Sequence, residues 1–177
     1  MMTITVKMVT TNGFPKSGNH ALVKAVQLLG APCEVNHIPF GGVVEGKHVF
    51  IKRDPRNVLC SWLRFNGQPV TPGMFLTAFR KFQERSLVDE MAEYEGWLTD
   101  SNTLVVAYED LISSSAEMQR IADYLDTPYI NGAFEALPGL TRTWFAEHSD
   151  YRAIWTPEVE AAWVAEGGPE LLARWGY

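Results

Sequence analysis

One stretch near the N-terminus, Gly13-Phe14-Pro15-Lys16-Ser17-Gly18-Asn19-His20, limits what this chain can fold into more than any other. Before it, Ile4, Val6 and Met8 alternate with polar residues as in a half-buried strand, and Thr11 to Gly18 reads as a loop. After it, Leu22, Val23, Val26 and Leu29 fall on one face of a helix expected from about Asn19 to Leu29, with Gly30 as its stop. Strand, glycine loop and helix in that order open a phosphate-binding α/β unit. The helix start presents unpaired N–H groups and a positive dipole end, and glycines let the backbone wrap an anion. Gly13 and Gly18 have the spacing of the nucleotide-triphosphate loop Gly-x4-Gly-Lys-Ser/Thr, but Asn19 and His20 stand where that motif needs Lys and a magnesium-binding hydroxyl. The loop's lysine lies inside it, at Lys16, which suits an anion handled without magnesium. Taken alone, such a loop serves equally well to turn the chain into its helix.

The rest of the chain continues the α/β alternation. Short strands are expected at Cys33 to Asn36 and, after the loop Pro39-Phe40-Gly41-Gly42, at His48 to Lys52. Asp54 and Pro55 start a helix whose apolar face is Val58, Leu59, Trp62 and Leu63. From Thr71 the pattern is helical, with Phe75, Phe79 and Phe82, then Leu87, Met91, Tyr94 and Leu98 as core stripes. The apolar run Thr103 to Tyr108 predicts a strand buried on both faces. Ser114 and Glu117 form a capping-box pattern for a helix bearing Met118, Ile121, Ala122 and Leu125. Asn131 to Ser149 has no period and reads as an extended loop, and Thr156 and Pro157 start a final helix before Trp175 and Tyr177. With no internal repeat or linker, residues 1–177 are expected to form a single α/β domain. It has three layers: a central, mainly parallel sheet of about four to five strands with helices on both faces.

Composition narrows the partners. The 177 residues carry 15 Lys and Arg against 21 Asp and Glu, a net charge of −6. A broad basic surface for a phosphate backbone is therefore not expected, and nucleic acid is not the partner. There is no apolar run near the ~18 residues that a membrane span needs, and no charged-then-apolar leader, so the cytoplasm is the expected compartment. Cys33 and Cys60 lie far apart beside apolar residues and read as reduced core thiols. No pair of His or Cys has metal-ligand spacing, and no metal is expected.

Two motifs together carry a resemblance. Pro15-Lys16-Ser17-Gly18 resembles the Pro-Lys-Ser-Gly-Thr-Thr-Trp loop of sulfotransferases that use 3'-phosphoadenosine-5'-phosphosulfate (PAPS), where the loop cradles the 5'-phosphosulfate. In that family a later strand ends in an Arg, followed eight residues on by a Ser, and both grip the 3'-phosphate. Phe50-Ile51-Lys52-Arg53-Asp54-Pro55-Arg56-Asn57-Val58-Leu59-Cys60-Ser61 puts Arg53 and Ser61 at that spacing. Arginine offers phosphate oxygens a forked donor, and serine a further hydroxyl. Val106-Ala107-Tyr108-Glu109-Asp110-Leu111 is similar to the family's Tyr-Glu-Asp-Leu stretch, which is chiefly architectural. Asp150-Tyr151-Arg152-Ala153-Ile154-Trp155-Thr156 is similar to its late Asp-Trp-Lys-Asn-His-Phe-Thr stretch. An Arg-Lys-Gly that closes over the 3'-phosphate precedes that stretch in the family. The nearest basic residue here is Arg142, about two positions further upstream and with no glycine after it.

The resemblance implies a P-loop-like sulfotransferase architecture and sulfuryl transfer from PAPS to a small-molecule hydroxyl or amine acceptor by in-line displacement, leaving 3',5'-bisphosphoadenosine. It implies a donor site of Pro15, Lys16, Ser17, Gly18, Asn19, His20, Arg53, Ser61 and Arg142, with Lys16 assisting the leaving phosphate. Val35-Asn36-His37-Ile38-Pro39 resembles the family's Lys-Thr-His-Leu-Pro, whose histidine is the general base, and so implies that role for His37. A strand-end histidine tied to a backbone carbonyl is the structural alternative. His20, at the phosphate end of its helix, competes for the role of base, although a phosphate contact is expected there; His48 and His148 read as bystanders. The family's Thr-Thr-Trp becomes Asn19-His20-Ala21, which removes its adenine-stacking aromatic and leaves Trp144 or Phe145 to replace it. The chain is also shorter than most of the family between Lys16 and His37, which leaves the acceptor site open or completed by a second copy in a homodimer.

Two other readings remain. A P-loop nucleotide kinase would need a Walker lysine and an acidic metal site, for which only Asp54 follows a strand. A non-catalytic protein that binds 3',5'-bisphosphoadenosine would keep Arg53 and Ser61 and tolerate loss of His37.

Overall fold

The polar residues Thr11 and Asn12, expected in a loop, lie instead within the first strand, β1 (Val9–Gly13), and are fully buried there. Both can be buried because their side chains are satisfied by neighbouring backbone. Thr11 Oγ1 donates to the Glu34 carbonyl, while the Asn12 amide donates to the Ile38 carbonyl and accepts from its N–H, both at 2.9 Å. The computed structural model describes residues 9–41, 46–140 and 150–177, so the alternating stretch Ile4, Val6, Met8 lies outside the described residues.

β1 pairs in parallel with β2 (Cys33–Asn36) on one side and β3 (His48–Lys52) on the other, and β3 pairs in parallel with β4 (Thr103–Ala107). The order β2-β1-β3-β4 gives a four-stranded parallel sheet among the described residues. The chain leaves β1 for a strand on one side and returns to a strand on the other. The C-terminal ends of β1 and β3 therefore flank a topological switch point, where open α/β sheets bind ligands.

Alternation along β3 divides the core in two. Val49 and Ile51 pack with Leu22 and Val26 of α1 (Asn19–Leu28), Ile121 of α6 (Ser115–Leu125) and Leu137 of α7 (Ala133–Leu140). Phe50 points the other way and packs with Leu59 of α2 (Pro55–Phe65), Phe75 and Phe79 of α3 (Pro72–Arg80), and Met91 of α4 (Leu87–Ala92). Trp163 of α8 (Pro157–Ala165) and Trp175 of α9 (Gly168–Trp175) complete that side. Successive strand residues face opposite sides, so one buried strand serves both cores and the three expected layers result. Among the described residues no helix is long and apolar enough to cross a membrane.

Several local expectations are corrected by tertiary contacts. β4 lies at the sheet edge, where only Val106 is fully buried, and Tyr108 starts α5 (Tyr108–Ser113) instead of ending the strand. Ser114 caps α6 by accepting from the Ala116 N–H at 3.2 Å, but Glu117 does not close a capping box. Its carboxylate pairs with Arg120, whose guanidinium also reaches the Val105 carbonyl at 2.6 Å, so the charge pair prevails over a neutral backbone donor. The expected single C-terminal helix breaks at Gly167, whose φ of 86° is left-handed, into α8 and α9. Residues 133–140, expected in a loop, form α7. Ala133 and Leu137 lie one turn apart and are both buried against the α1 side of the sheet, a pattern hidden in the sequence by the internal Pro138.

This last difference is testable. Leu137→Ala should cost about 2–5 kcal/mol of stability, the price of a cavity in a packed core. A residue on an exposed loop would change stability by less than about 0.5 kcal/mol. Chemical denaturation of the variant separates the two.

Candidate active site

The loop between β1 and α1 is fastened at its first side chain. Phe14 is 1% exposed and packs in the aromatic core, its ring centroid 5.1 Å from that of Phe82, 5.2 Å from Tyr94 and 6.2 Å from Trp175. From there the backbone makes a tight turn, with the Ser17 N–H donating to the Phe14 carbonyl at 3.1 Å and the Asn19 amide donating to the same carbonyl at 2.9 Å. Lys16 adopts φ 70° and Gly18 φ 105°, both left-handed. A β-carbon on Gly18 would run into the Tyr108 ring, and one on Gly13 would sit 2.8 Å from the Ile51 carbonyl. Both glycines are required, one for conformation and close approach, the other for contact between β1 and β3. Gly18 caps α1 without any side chain, so the first N–H groups of the helix are left for a ligand.

Arg53 follows β3 directly and lies at the switch point. It is only 7% exposed, its guanidinium stacks on Tyr108 at 4.3 Å from the ring centroid, and Nη1 donates to the Lys16 carbonyl at 3.3 Å. That is its only hydrogen bond among the described residues, and the buried Nε has no partner there. Burial lowers its pKa, partly offset by Tyr108 and Glu109, yet a guanidinium stays protonated. A buried cation whose forked donors are largely unengaged is suited to a bound anion. Ser17 Oγ is likewise buried without a partner. The donor set thus fits a phosphorylated ligand.

His37 lies just beyond β2, and its strand end is clamped from three sides. Asn12 holds Ile38 as described, the Trp97 indole N–H donates to the Ile38 carbonyl at 2.9 Å, and the Tyr94 hydroxyl donates to the His37 carbonyl at 3.1 Å. The imidazole is exposed, with Nδ1 2.9 Å from the Gly13 carbonyl. A carbonyl can only accept, so Nδ1 carries a proton, and in the neutral ring Nε2 keeps its lone pair. The carbonyl tie expected of a merely structural histidine is therefore present, and it is also what sets the tautomer a base requires.

The remaining expected residues are placed as follows. Lys16 and Pro15 are half-buried in the loop, and burial pushes the Lys16 pKa down to about 8. Asn19 is buried, its amide engaged by Phe14 and its Oδ1 without a partner, so its side chain braces the loop. His20 is exposed in the first turn of α1, and Ser61 is half-buried on α2. Arg142, Trp144 and Phe145 lie outside the described residues. Contacts thus join Lys16 to Arg53 and Gly13 to His37, while no hydrogen bond links Ser61 to either among the described residues. Asp54, the acidic residue a kinase would need, caps α2 and engages both carboxylate oxygens on the Arg56 guanidinium, at 2.9 and 2.7 Å. Cys33 and Cys60 are free thiols whose pKa values burial pushes up to about 11.

Sequence reasoning missed two contributors. Tyr108, within the stretch taken as architectural, holds Arg53 from one side and walls Gly18 on the other. Its position directly after a strand was the only available signal. Phe65 meets the Lys16 ammonium, a contact that nothing in sequence indicates.

No family model matches the sequence, and no curated protein matches it. Solved structures do match the fold. The mouse sulfotransferase SULT7A1 complexed with PAP superposes with a TM-score of 0.68 at 16% identity, over 95% of this chain and 83% of that one. The chain has the sulfotransferase fold.

Gly18→Ala should destabilise the protein by about 1–3 kcal/mol through overpacking against Tyr108, beyond its backbone strain. Gly30→Ala is the control, because φ there is also positive, 80°, but a β-carbon would meet nothing within 4 Å. Equal losses in thermal unfolding would mean that Tyr108 does not press on the loop.

Proposed function

We propose that the protein is a sulfotransferase, moving a sulfuryl group from PAPS to a small-molecule hydroxyl or amine acceptor. The observation that carries this reading is Arg53: a buried guanidinium at the end of β3, fixed by Tyr108 and the Lys16 carbonyl, with no other hydrogen bond among the described residues. The likeness in fold to a sulfotransferase complexed with PAP supports the same donor class.

In this reading the loop 13–18 and the α1 N–H groups hold the 5'-phosphosulfate, and Arg53 with Ser61 holds the 3'-phosphate. The acceptor oxygen or nitrogen attacks sulfur in line. Its new bond to sulfur forms as the bond from sulfur to the 5'-phosphate oxygen breaks, the acceptor proton passes to His37 Nε2, and the Lys16 ammonium meets the charge arriving on the leaving phosphate. Bisphosphoadenosine and a sulfated acceptor are the products. The reaction is assigned to the cytoplasm, and Arg142 remains the candidate for a further 3'-phosphate contact.

Two alternatives are weaker. A kinase would need Asp54 for a metal ion, and both of its oxygens bind Arg56. A non-catalytic binder of bisphosphoadenosine would make no use of the tie to the Gly13 carbonyl, which in the neutral ring leaves the lone pair on His37 Nε2.

Bisphosphoadenosine without added metal should raise the melting temperature more than ATP with magnesium, because a ligand of the folded state alone stabilises it. The reverse order would favour the kinase. Arg53→Ala should remove about 1.5–3 kcal/mol of bisphosphoadenosine binding and much less of adenosine 5'-phosphate binding.

His37→Ala should leave bisphosphoadenosine affinity nearly unchanged and lower sulfuryl transfer on the order of 10²-fold. The assay uses radiolabelled PAPS with a phenol, an aliphatic alcohol, an amino sugar and an amine as acceptors. Full activity in His37→Ala together with its loss in His20→Ala would transfer the base to His20.

Lys16 gives a pH signature. Its pKa lies near 8 in the free protein, so the cation that meets the 5'-phosphate is present below that pH and lost above it. Bisphosphoadenosine affinity should be flat from about pH 7 to 8 and fall as pH rises further, by up to about tenfold per unit. Lys16→Arg should abolish that fall.

A further inference from the structure

The structure assigns Phe65 as a positioning residue for Lys16: its ring is the seat on which the lysine ammonium rests beside the anion loop. The assignment rests on the donor-site reading above and adds a residue to it.

Phe65 is the last residue of α2 and is 65% exposed, so core packing does not account for it. The Lys16 ammonium lies over its ring, 2.8 Å from the centroid, inside the ~6 Å range of cation–π attraction. The lysine reaches there from a backbone with little freedom. Its φ is 70°, its carbonyl accepts from Arg53, and the residues on either side belong to the Phe14–Ser17 turn.

The choice of an aromatic ring has a chemical consequence. Among the described residues no carboxylate pairs with Lys16, and burial alone accounts for its lowered pKa. The charged side chain bonded to its backbone is itself a cation, Arg53, whose guanidinium donates to the Lys16 carbonyl. A carboxylate partner would neutralise the ammonium and compete with phosphate for its donors. A ring face attracts the charge without neutralising it and leaves donors free for phosphate oxygens. Ser61 and Phe65 are four residues apart on α2 and so share a helix face, which places the lysine's seat in line with the hydroxyl proposed to reach the 3'-phosphate.

The test needs no acceptor. Proton–carbon spectra of the lysine ε-methylenes, with Lys16 assigned through Lys16→Arg, report the ring current of Phe65, and calorimetry reports the Kd for bisphosphoadenosine. Wild type and Phe65→Trp should both show the Lys16 ε-protons displaced upfield. Phe65→Leu, which keeps an apolar side chain at this exposed position but removes the ring, should lose that displacement and bind bisphosphoadenosine about 3- to 10-fold more weakly. Phe65→Trp should bind as wild type does. Lys16 ε-protons at an ordinary lysine position in wild type, or a wild-type Kd in Phe65→Leu, would overturn the assignment. A wild-type protein that shows the displacement yet binds no bisphosphoadenosine would overturn the donor reading instead.

Discussion

The loop between β1 and α1 depends on Phe14 being driven into the core. Its ring lies among Phe82, Tyr94 and Trp175, and its carbonyl receives both the Ser17 N–H and the Asn19 amide. Burying an aromatic side chain contributes on the order of 1.5–3 kcal/mol, enough to hold two residues in the left-handed region where one of them, Lys16, is not glycine. Without that anchor the loop would relax, the Lys16 carbonyl would leave Arg53, and the open α1 terminus would lose its frame. The same aromatic core reaches His37, because Tyr94, which packs on Phe14, also donates to the His37 carbonyl. Binding groups and proposed base are thus referred to one rigid cluster.

Sheet register brings the two halves of the site together. Gly13 pairs with Ile51, so the end of β1 lies beside the end of β3, and Arg53 emerges next to the loop that β1 feeds. On the other side Asn12 pairs with Asn36, which brings His37 within reach of the Gly13 carbonyl. Parallel strands end on the same edge, so lysine, arginine and histidine from three segments converge without any long-range ion pair among them.

Charge is organised locally, against the grain of the whole. The chain carries a net charge of −6, yet among the described residues neither Lys16 nor Arg53 forms an ion pair with a carboxylate, and the nearby Asp54 is held by Arg56. Tyr108 and Phe65 offer ring faces in place of counter-ions. Aromatic faces hold cations in place and leave them charged, which is what the proposed donor site would need before its ligand arrives.

How much of this was legible in the sequence follows from the range of the interactions. Period and caps revealed β2, β3 and the start of α2 at Asp54, because those signals lie within a few residues of one another. Gly13 with Gly18, and Arg53 with Ser61, were legible as spacings for the same reason. The reading stopped where partners are distant. Thr11 and Asn12 looked like loop residues until β2 supplied acceptors for them, and Ala133–Leu140 looked irregular until α1 gave Leu137 a surface to bury. Lys16 with Phe65, Arg53 with Tyr108 and His37 with Gly13 are each separated by tens of residues. By itself the sequence determined the succession of strands and the chemical groups at the ends of β1, β2 and β3. Only the tertiary structure decided which groups meet, which nitrogen of His37 is free and what holds Lys16, because those depend on strand register and packing that no local pattern encodes.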